Sequence, residues 1–330
     1  MSKLSKRIKQ MIARTQYYGI GYPLDYILVA CGKRDYLRTV KKKEETYKSL
    51  DENSYIKELA KWYHAATGDT IDFNNPVTFN QKLQWCKVYD RNPLKTQLAD
   101  KYLVRDWVKE KIGSKYLVPL IGVWDSFDEI DFSKMPDRYA LKCNHGSGWN
   151  IIVNDKNPLD KADAKRKIDF WMHENFAYKA GFELHYKNIV PKIIAEEYME
   201  NYGGDIYDYK LYCFGGRVEY IHFMMDRKRE LKMGYYDRDW NLQSFVHNHP
   251  RIDIDIEKPD NLDEMILLAE KLSEGFPYVR VDFYRLNDGT IKFGEMTFTP
   301  ASGTQDWDPP ETKYMLGELF DLPLKEMKEL

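Results

Sequence analysis

The sequence has no long hydrophobic run and is sparing with cysteine and histidine. Its most apolar stretch, Tyr17 to Gly32, is broken by glycine, Pro23 and Asp25, and so falls short of the roughly 20 apolar residues that a membrane-spanning helix needs. The first residues lack the apolar core and small-residue cleavage site of a secretory signal, so the expected location is the cytoplasm. Cys31, Cys86, Cys143 and Cys213 stand far apart with no C-x-x-C pair. That spacing argues against a disulfide framework or a zinc knuckle and predicts free, buried thiols. The histidines show no H-E-x-x-H spacing, and His247 and His249 read as residues of a surface loop. A G-x-x-x-x-G-K-[ST] phosphate loop is absent, as is a convincing Ser/His/Asp or Cys/His set for nucleophilic catalysis.

What is present is an ordinary folded composition, with 43% hydrophobic and 31% charged residues, long enough for two or three packed units. Aromatic residues reach 15%, including 25 tyrosines; these suit sugar or nucleotide contacts as well as packing. Residues 1–50 hold 12 Lys+Arg against 4 Asp+Glu, and the remainder holds 38 against 48. In the basic end, Lys3, Lys6, Arg7, Lys9 and Arg14 interleave with Leu4, Ile8, Met11 and Ile12. This is the spacing of a solvated terminal helix, or of one lying on an anionic membrane surface as a peripheral contact. Nucleic acid is not an expected partner, because the body of the chain is acidic.

A polar linker over 41–49 leads into a helical region. Tyr55, Ile56, Leu59, Trp62 and Tyr63 recur at helical spacing, Thr78 is placed to N-cap a helix carrying Leu83, Trp85 and Val88, and a third helix is expected from about Gln97 to Ile112, stopped by Gly113. The pattern then changes. Strands are expected at Val118–Trp124 (an edge, given Pro119), Tyr139–Cys143, Ile151–Val153, Ile193–Met199, Tyr207–Phe214, Val218–Met225, Tyr278–Leu286 and Thr290–Thr297. Helices are expected over 160–175, 262–275 and 311–320. The fold class is therefore α+β, with largely antiparallel strands after a helical N-terminal region.

Asp288-Gly289, between two alternating runs, signals a two-residue type I′ hairpin. That turn pairs Asn287 with Thr290, Tyr284 with Phe293, Asp282 with Glu295 and Arg280 with Thr297, and places the later pairs on one face. Two carboxylates directly opposite each other repel. They call for a shared proton, a hard divalent cation such as Mg²⁺, or an outlook onto solvent.

The strand ending in Lys142 runs into His145-Gly146-Ser147-Gly148. Such a loop lets backbone N–H groups approach phosphate oxygens, with the lysine as a point charge, although an ordinary hairpin turn reads the same way. Lys210 sits mid-strand and wants an anionic partner unless its strand is an edge. Glu196, Glu197, Tyr198 and Met199 close another strand. Arg227, Lys228 and Arg229 are basic candidates for an acidic substrate, or a solvated turn. Asp306-Trp307-Asp308 and Asp237-Arg238-Asp239 match the D-x-D pattern of nucleotide-sugar enzymes.

Over roughly residues 54–325 the chain resembles the TupA-like ATP-grasp proteins, associated with teichuronopeptide and capsule or cell-envelope polysaccharide biosynthesis. The resemblance rests on Thr78-Phe79-Asn80-x-Lys82-Leu83-Gln84-Trp85, Ala99-Asp100-Lys101-Tyr102-x-Val104-Arg105, Leu141 to Gly148, Glu196-x-Tyr198 and Asp208-Tyr209-Lys210-x-Tyr212-Cys213-Phe214. It rests also on Val281-Asp282-Phe283-Tyr284 with Gly294-Glu295-Met296-Thr297-Phe298-Thr299-Pro300. It implies an ATP-grasp fold in which two α+β subdomains clamp ATP: residues 131–198 and 199–330, after a basic segment (1–50) and a helical region (51–130).

For the site, the resemblance implies that Lys142 and Lys210 contact phosphates, that His145 to Gly148 form a flap, and that Glu196 to Met199 hold adenine. Asp282 and Glu295 would bind Mg²⁺, with Thr297 where many relatives carry a better metal-binding Asn. Arg280, on the same face, is the candidate to stabilise the transferred phosphoryl group together with Lys210. The implied activity is an ATP-dependent carboxylate–amine ligase that uses an acidic sugar or polysaccharide precursor and an amine. An ATP-grasp kinase acting on a sugar hydroxyl and a nucleotide-sugar glycosyltransferase are the alternatives.

Overall fold

Thr78 N-caps its helix as its side chain predicts, and Asp51, which the sequence reading did not single out, caps the helix before it; residues 45–48, expected within the polar linker, are helical. The computed structural model describes residues 45–179, 181–199, 207–225 and 232–323. The basic segment up to residue 44 with its membrane reading, Cys31, and the Arg227–Arg229 candidates lie outside those residues. Helix α1 (Glu52–Thr67) is N-capped by Asp51, which accepts from the Ser54 N–H at 2.7 Å. It ends at Gly68, whose φ of 79° is the left-handed conformation that closes a helix. Helix α2 (Phe79–Tyr89) opens with a reciprocal capping box: Thr78 Oγ1 accepts from the Gln81 N–H, and Gln81 Oε1 accepts from the Thr78 N–H.

The single helix expected from about Gln97 to Ile112 is instead two, α3 (Leu94–Ala99) and α4 (Val104–Lys111). Asp100 makes the break. Its backbone is extended (ψ 115°), and its Oδ1 accepts from the N–H groups of Tyr102 and Leu103 at 2.7 and 3.2 Å. A local carboxylate here outcompetes the helical ladder for those donors. Gly113, at φ 103°, stops α4 where expected.

The first sheet contains β1 (Leu120–Trp124), β2 (Tyr139–Cys143), β3 (Asn150–Val153) and, after helix α5 (Lys161–Met172), β4 (Ile193–Glu197). Its order is β1-β4-β2-β3, all pairs are antiparallel, and β1 lies at an edge, as Pro119 predicts. Ala164 and Ile168 of α5 pack on Leu141, Cys143, Ile193 and Ala195.

The second sheet contains β5 (Tyr207–Phe214), β6 (Arg217–Met225) and β7 (Lys232–Tyr236). A short β8 (Val246–His247) and helix α6 (Leu262–Ser273) precede its last strands, β9 (Tyr278–Arg285) and β10 (Ile291–Thr297). The order is β10-β9-β5-β6-β7, again antiparallel throughout. Met265, Leu268, Ala269 and Leu272 of α6 bury one face of it against Leu211, Val281 and Phe283. A two-residue β11 (Trp307–Asp308) pairs with β8, and α7 (Thr312–Glu318) packs on α2 through Leu316, Phe79 and Leu83.

His247, expected in a surface loop, is buried in β8, where its Nδ1 lies 2.8 Å from the Tyr235 hydroxyl. Cys86, Cys143 and Cys213 are free and buried, as expected. Among the described residues no helix is long and apolar enough to cross a membrane.

Candidate active site

The β9–β10 hairpin reaches the expected carboxylate pair by a different route. The Leu286 N–H donates to Thr290 O (2.9 Å) and the Gly289 N–H donates to Leu286 O (3.0 Å). Of the turn residues only Gly289 has a positive φ, 83°. The loop is thus three residues, Asn287 to Gly289, with glycine in the left-handed position. The type I′ turn is not formed, and Asn287 does not pair with Thr290.

The ladder accordingly starts one register off: Tyr284 faces Lys292, and Phe293 faces Phe283. A bulge between Phe293 and Glu295 then takes up Gly294, after which Asp282 faces Glu295 and Arg280 faces Thr297. Phe293 is thereby sent into the core beside Phe283 rather than onto the face expected for it.

On that face the side chains form one hydrogen-bonded cluster. Arg280 grips Asp282 with both ends of its guanidinium, Nε to Oδ1 and Nη2 to Oδ2, each at 2.7 Å. The same Nη2 reaches Glu295 Oε1 and Thr297 Oγ1 at 3.0 Å, and the Thr297 hydroxyl donates to Glu295 Oε1 at 2.9 Å. From the neighbouring strand, Lys210 sits opposite Asp282. Its ammonium lies 2.6 Å from Asp282 Oδ2 and 2.7 Å from Asp208 Oδ2.

Lys210 is therefore on a central strand with the anionic partners that its position demands. Three carboxylates and two cations share the space, which relieves the repulsion that Asp282 and Glu295 would otherwise suffer. Burial is the largest single influence and opposes the charged forms of Lys210 and Arg280, but the surrounding anions together, Asp282 foremost, outweigh it, and both pKa values stand above the ordinary ones. Asp282 is buried, with a side chain 3% exposed, whereas that of Glu295 is 37% exposed.

Lys142, on the first sheet, points at a second cluster. Its ammonium lies 2.6 Å from Glu196 Oε2, while Arg105 from α4 donates to Glu196 Oε1 at 2.9 Å and to Val118 O. Lys101, just before α4, donates to the carbonyl of Gly146. Burial lowers the pKa of Lys101, Glu295 works against that, and Lys142 adds to it, so this lysine senses charges of both clusters. Asp208, Arg105 and Lys101 are site neighbours that residue-level reading did not single out.

The β2–β3 loop divides into an inner and an outer half. His145 is 2% exposed, and its ring nitrogens lie 3.2 Å from Asn144 Oδ1 and 3.1 Å from Trp171 O. Burial holds its pKa down at about 4, so the ring is neutral. Gly146 is packed so closely that a Cβ there would meet the Trp149 ring at 2.4 Å. Ser147 and Gly148 are the exposed members. At the end of β4, Glu197 is exposed, the Tyr198 ring carries the Arg138 guanidinium at 4.9 Å, and Met199 is half-buried.

Neither D-x-D tripeptide gathers metal donors. Asp237 uses its carboxylate on the turn to Asn241, and Asp306 and Asp308 flank the buried Trp307 on β11. Among the described residues, no group of three or more His, Cys, Asp or Glu is arranged to hold a metal by itself.

The TupA-like ATPgrasp family matches the chain over residues 81–321. No curated protein matches it. Similar solved structures include N5-carboxyaminoimidazole synthetase from Staphylococcus aureus, at 14% identity and a TM-score of 0.36, covering 61% of this chain and 44% of that one. D-alanine–D-alanine ligase from Bacillus anthracis is 16% identical with a TM-score of 0.41, covering 71% of this chain and 69% of that one. Biotin carboxylase from Campylobacter jejuni is 16% identical with a TM-score of 0.38, covering 69% and 48%. The chain thus spans less than half the length of the synthetase.

Proposed function

Because the chain belongs to the TupA-like ATPgrasp family, we propose that it is an ADP-forming carboxylate–amine ligase acting on a polysaccharide precursor that carries a uronic acid. The observation that carries this reading is the convergence of Lys210, Arg280, Asp282 and Glu295 in one hydrogen-bonded cluster.

In this reading Lys142 and Lys210 hold ATP phosphates, and the exposed backbone of Ser147 and Gly148 covers them. His145 and Gly146 anchor that loop from within. Glu197, Tyr198 and Met199 hold the adenine edge. Glu196 contributes its backbone there, because its carboxylate is engaged by Lys142 and Arg105.

Mg²⁺ is bound by one or two protein carboxylates plus phosphate oxygens and water. Asp282 and Glu295 suit that role as a pair, with the Thr297 hydroxyl beside them, and the fit needs no third carboxylate. When bound, the ion offsets the charge of the phosphates. Arg280, held by Asp282, Glu295 and Thr297, is a preorganised donor for the γ-phosphoryl group as it transfers.

The substrate carboxylate attacks the γ-phosphorus, the bond to ADP breaks, and an acylphosphate forms. The amine nitrogen then attacks the acyl carbon, phosphate leaves, and loss of the nitrogen's proton gives the amide. Positioning and electrostatics do the work, and no protein nucleophile is required.

The test is ADP release from Mg-ATP with a glucuronic-acid-containing acceptor and a panel of amines, comparing wild type with Glu295→Ala. Release that depends on both acceptor and amine and is lost in the variant is the expected result. Release needing sugar but no amine would indicate a kinase. Binding of a sugar nucleotide without ATP would indicate a glycosyltransferase.

A further inference from the structure

Helix α2 carries a polar stripe that faces inward. Asn80, Gln84 and Lys87 recur at helical spacing and so share one face, and all three are buried, Gln84 completely. Buried polar side chains must find partners. These three reach residues 302–305, in the loop that follows β10, the strand of Glu295 and Thr297. Asn80 Nδ2 donates to Gln305 O at 2.8 Å. Gln84 Nε2 donates to Ser302 O and Gly303 O at 3.1 and 3.0 Å. Lys87 Nζ donates to Ser302 O and Oγ at 2.8 and 2.9 Å.

The loop is held in a conformation that it would not choose by itself. Ala301, Ser302 and Gly303 follow one another with φ of 49°, 52° and 69°. A residue with a side chain stays in that left-handed region only where its surroundings impose it. The α2 donors are those surroundings, since they take the carbonyls of Ser302 and Gly303. The approach is close: a Cβ at position 303 would stand 2.4 Å from Gln84 Nε2.

Both ends of the loop are tied to the Arg280 cluster. It starts just after Thr297, whose hydroxyl accepts from Arg280. At its other end Gln305 Nε2 donates to the Tyr212 hydroxyl at 3.2 Å. Tyr212 stands directly opposite Arg280 on β5, and Thr297 stands opposite Arg280 on β10. Thr297, Arg280 and Tyr212 therefore form one row across three strands, and the loop runs from one end of that row to the other.

We infer that Asn80, Gln84 and Lys87 are positioning residues of the active site. By holding the strained loop they fix Glu295 and Thr297 in register with Asp282 and Arg280, and so set the affinity for the divalent cation that the two carboxylates hold in the Mg-ATP reading, on which this inference rests.

The experiment is calorimetric titration of the full chain with ADP, with and without Mg²⁺. Wild type is compared with Gln84→Met and with Gln84→Met/Ala301→Gly, at a temperature where each is folded, and urea midpoints are measured alongside. Methionine keeps the length of the side chain and lacks the donor. Ala301 is exposed, so glycine there lifts the left-handed penalty without emptying the core. Gln84→Met is expected to leave Mg-free ADP binding unchanged and to cut the gain in affinity that Mg²⁺ brings by about tenfold, the scale for residues that orient metal ligands. The double variant should recover most of that gain. If Gln84→Met does not fold, Gln84→Asn, which draws the same amide back by one methylene, carries the comparison.

A residue needed only for folding would lower the urea midpoint and leave both affinities of the folded protein as in wild type. That result, or a double variant no better than the single one, would overturn the inference and leave the nucleotide reading. Mg-dependent binding that relies on Gln84, in a protein that never releases ADP with acceptor and amine, would remove the ligase and leave the positioning role. A wild type whose ADP binding gains nothing from Mg²⁺ would remove both.

Discussion

Gly294 lies directly against Asp282: a Cβ at position 294 would stand 3.1 Å from the Asp282 carbonyl oxygen and 3.4 Å from its Cβ. This contact belongs to the bulge that brings Glu295 opposite Asp282 after a turn one residue longer than a type I′ turn. The two irregularities cancel at the site, while between them Phe293 passes to the core. The room left by glycine is what lets two carboxylates and Arg280 share one small area.

Gly294→Val is therefore expected to cost about 1–3 kcal/mol of stability through local overpacking, read as a lower urea midpoint. It should also reduce ADP release more than its stability loss accounts for, because the displaced group is the backbone of Asp282, the carboxylate proposed to hold Mg²⁺. Wild-type stability and turnover in this variant would mean that the ladder yields freely and that the bulge is incidental.

The Asp282–Glu295 pair and the Thr78–Gln81 capping box were legible because each is set by residues near in sequence. The turn was not, since Asp-Gly serves a two-residue type I′ turn and a three-residue loop with a left-handed glycine alike. A glycine inside a strand is a bulge signal, and Gly294 carried it. The break at Asp100 was hidden because an aspartate reads as a tolerable helix residue until its side chain is seen capping. Lys101 and Arg105 act through partners supplied by distant elements: Arg105 meets Glu196 across 91 residues, and no local pattern encodes that. Asp208 stands two residues from Lys210 on one strand face, a spacing that the strand period does carry. The α+β, ATP-grasp architecture was legible from the order of helices and strands together with the family runs. The two-residue strands β8 and β11 are too short to leave a periodicity.

Arg280→Lys is expected to keep the fold but lose most of the activity. A lysine places one ammonium where the guanidinium makes a bidentate contact to Asp282 and further bonds to Glu295 and Thr297. Removal of one such donor typically costs about 100-fold or more in kcat. Arg280→Ala should in addition destabilise the protein, because the buried Asp282 carboxylate then loses its bidentate partner. Single-turnover rates and urea midpoints separate the two effects, and a fully active Arg280→Lys enzyme would exclude the proposed role.

Lys87 and Glu183 are buried groups of opposite charge that influence each other electrostatically, near the strained loop after β10. Ala301 and Ser302 have positive φ values, 49° and 52°, and Lys87 holds the Ser302 carbonyl and hydroxyl while its ammonium lies 4.8 Å from the Trp62 ring centroid. Burial drives the lysine pKa down and the glutamate pKa up, each partner opposing the other's shift. Lys87→Met leaves Glu183 without its counter-charge and should cost about 3–5 kcal/mol. The Lys87→Met/Glu183→Gln double variant should recover a substantial part of that, a coupling that a double-mutant cycle in urea measures directly. Strictly additive losses would show that the two residues do not act as a pair.

Acidification should loosen the fold through its buried neutral histidines. Burial holds His145 at about 4 and His247 at about 3, and keeps His185 well below the ordinary value of 6.5. Well above pH 6.5 neither the folded nor the unfolded chain protonates these rings, and they contribute nothing to the pH dependence. Below it the unfolded chain takes up protons that the folded chain refuses, so stability falls with falling pH; the contribution of His145 levels off once pH drops beneath about 4. His145→Gln removes one such group, so across this window its stability curve should be shallower than wild type by about 1.4 kcal/mol per pH unit. Urea midpoints measured through the window read this slope. Parallel curves would mean that His145 titrates normally in the folded protein, and the closed inner half of the β2–β3 loop would then have to open in solution.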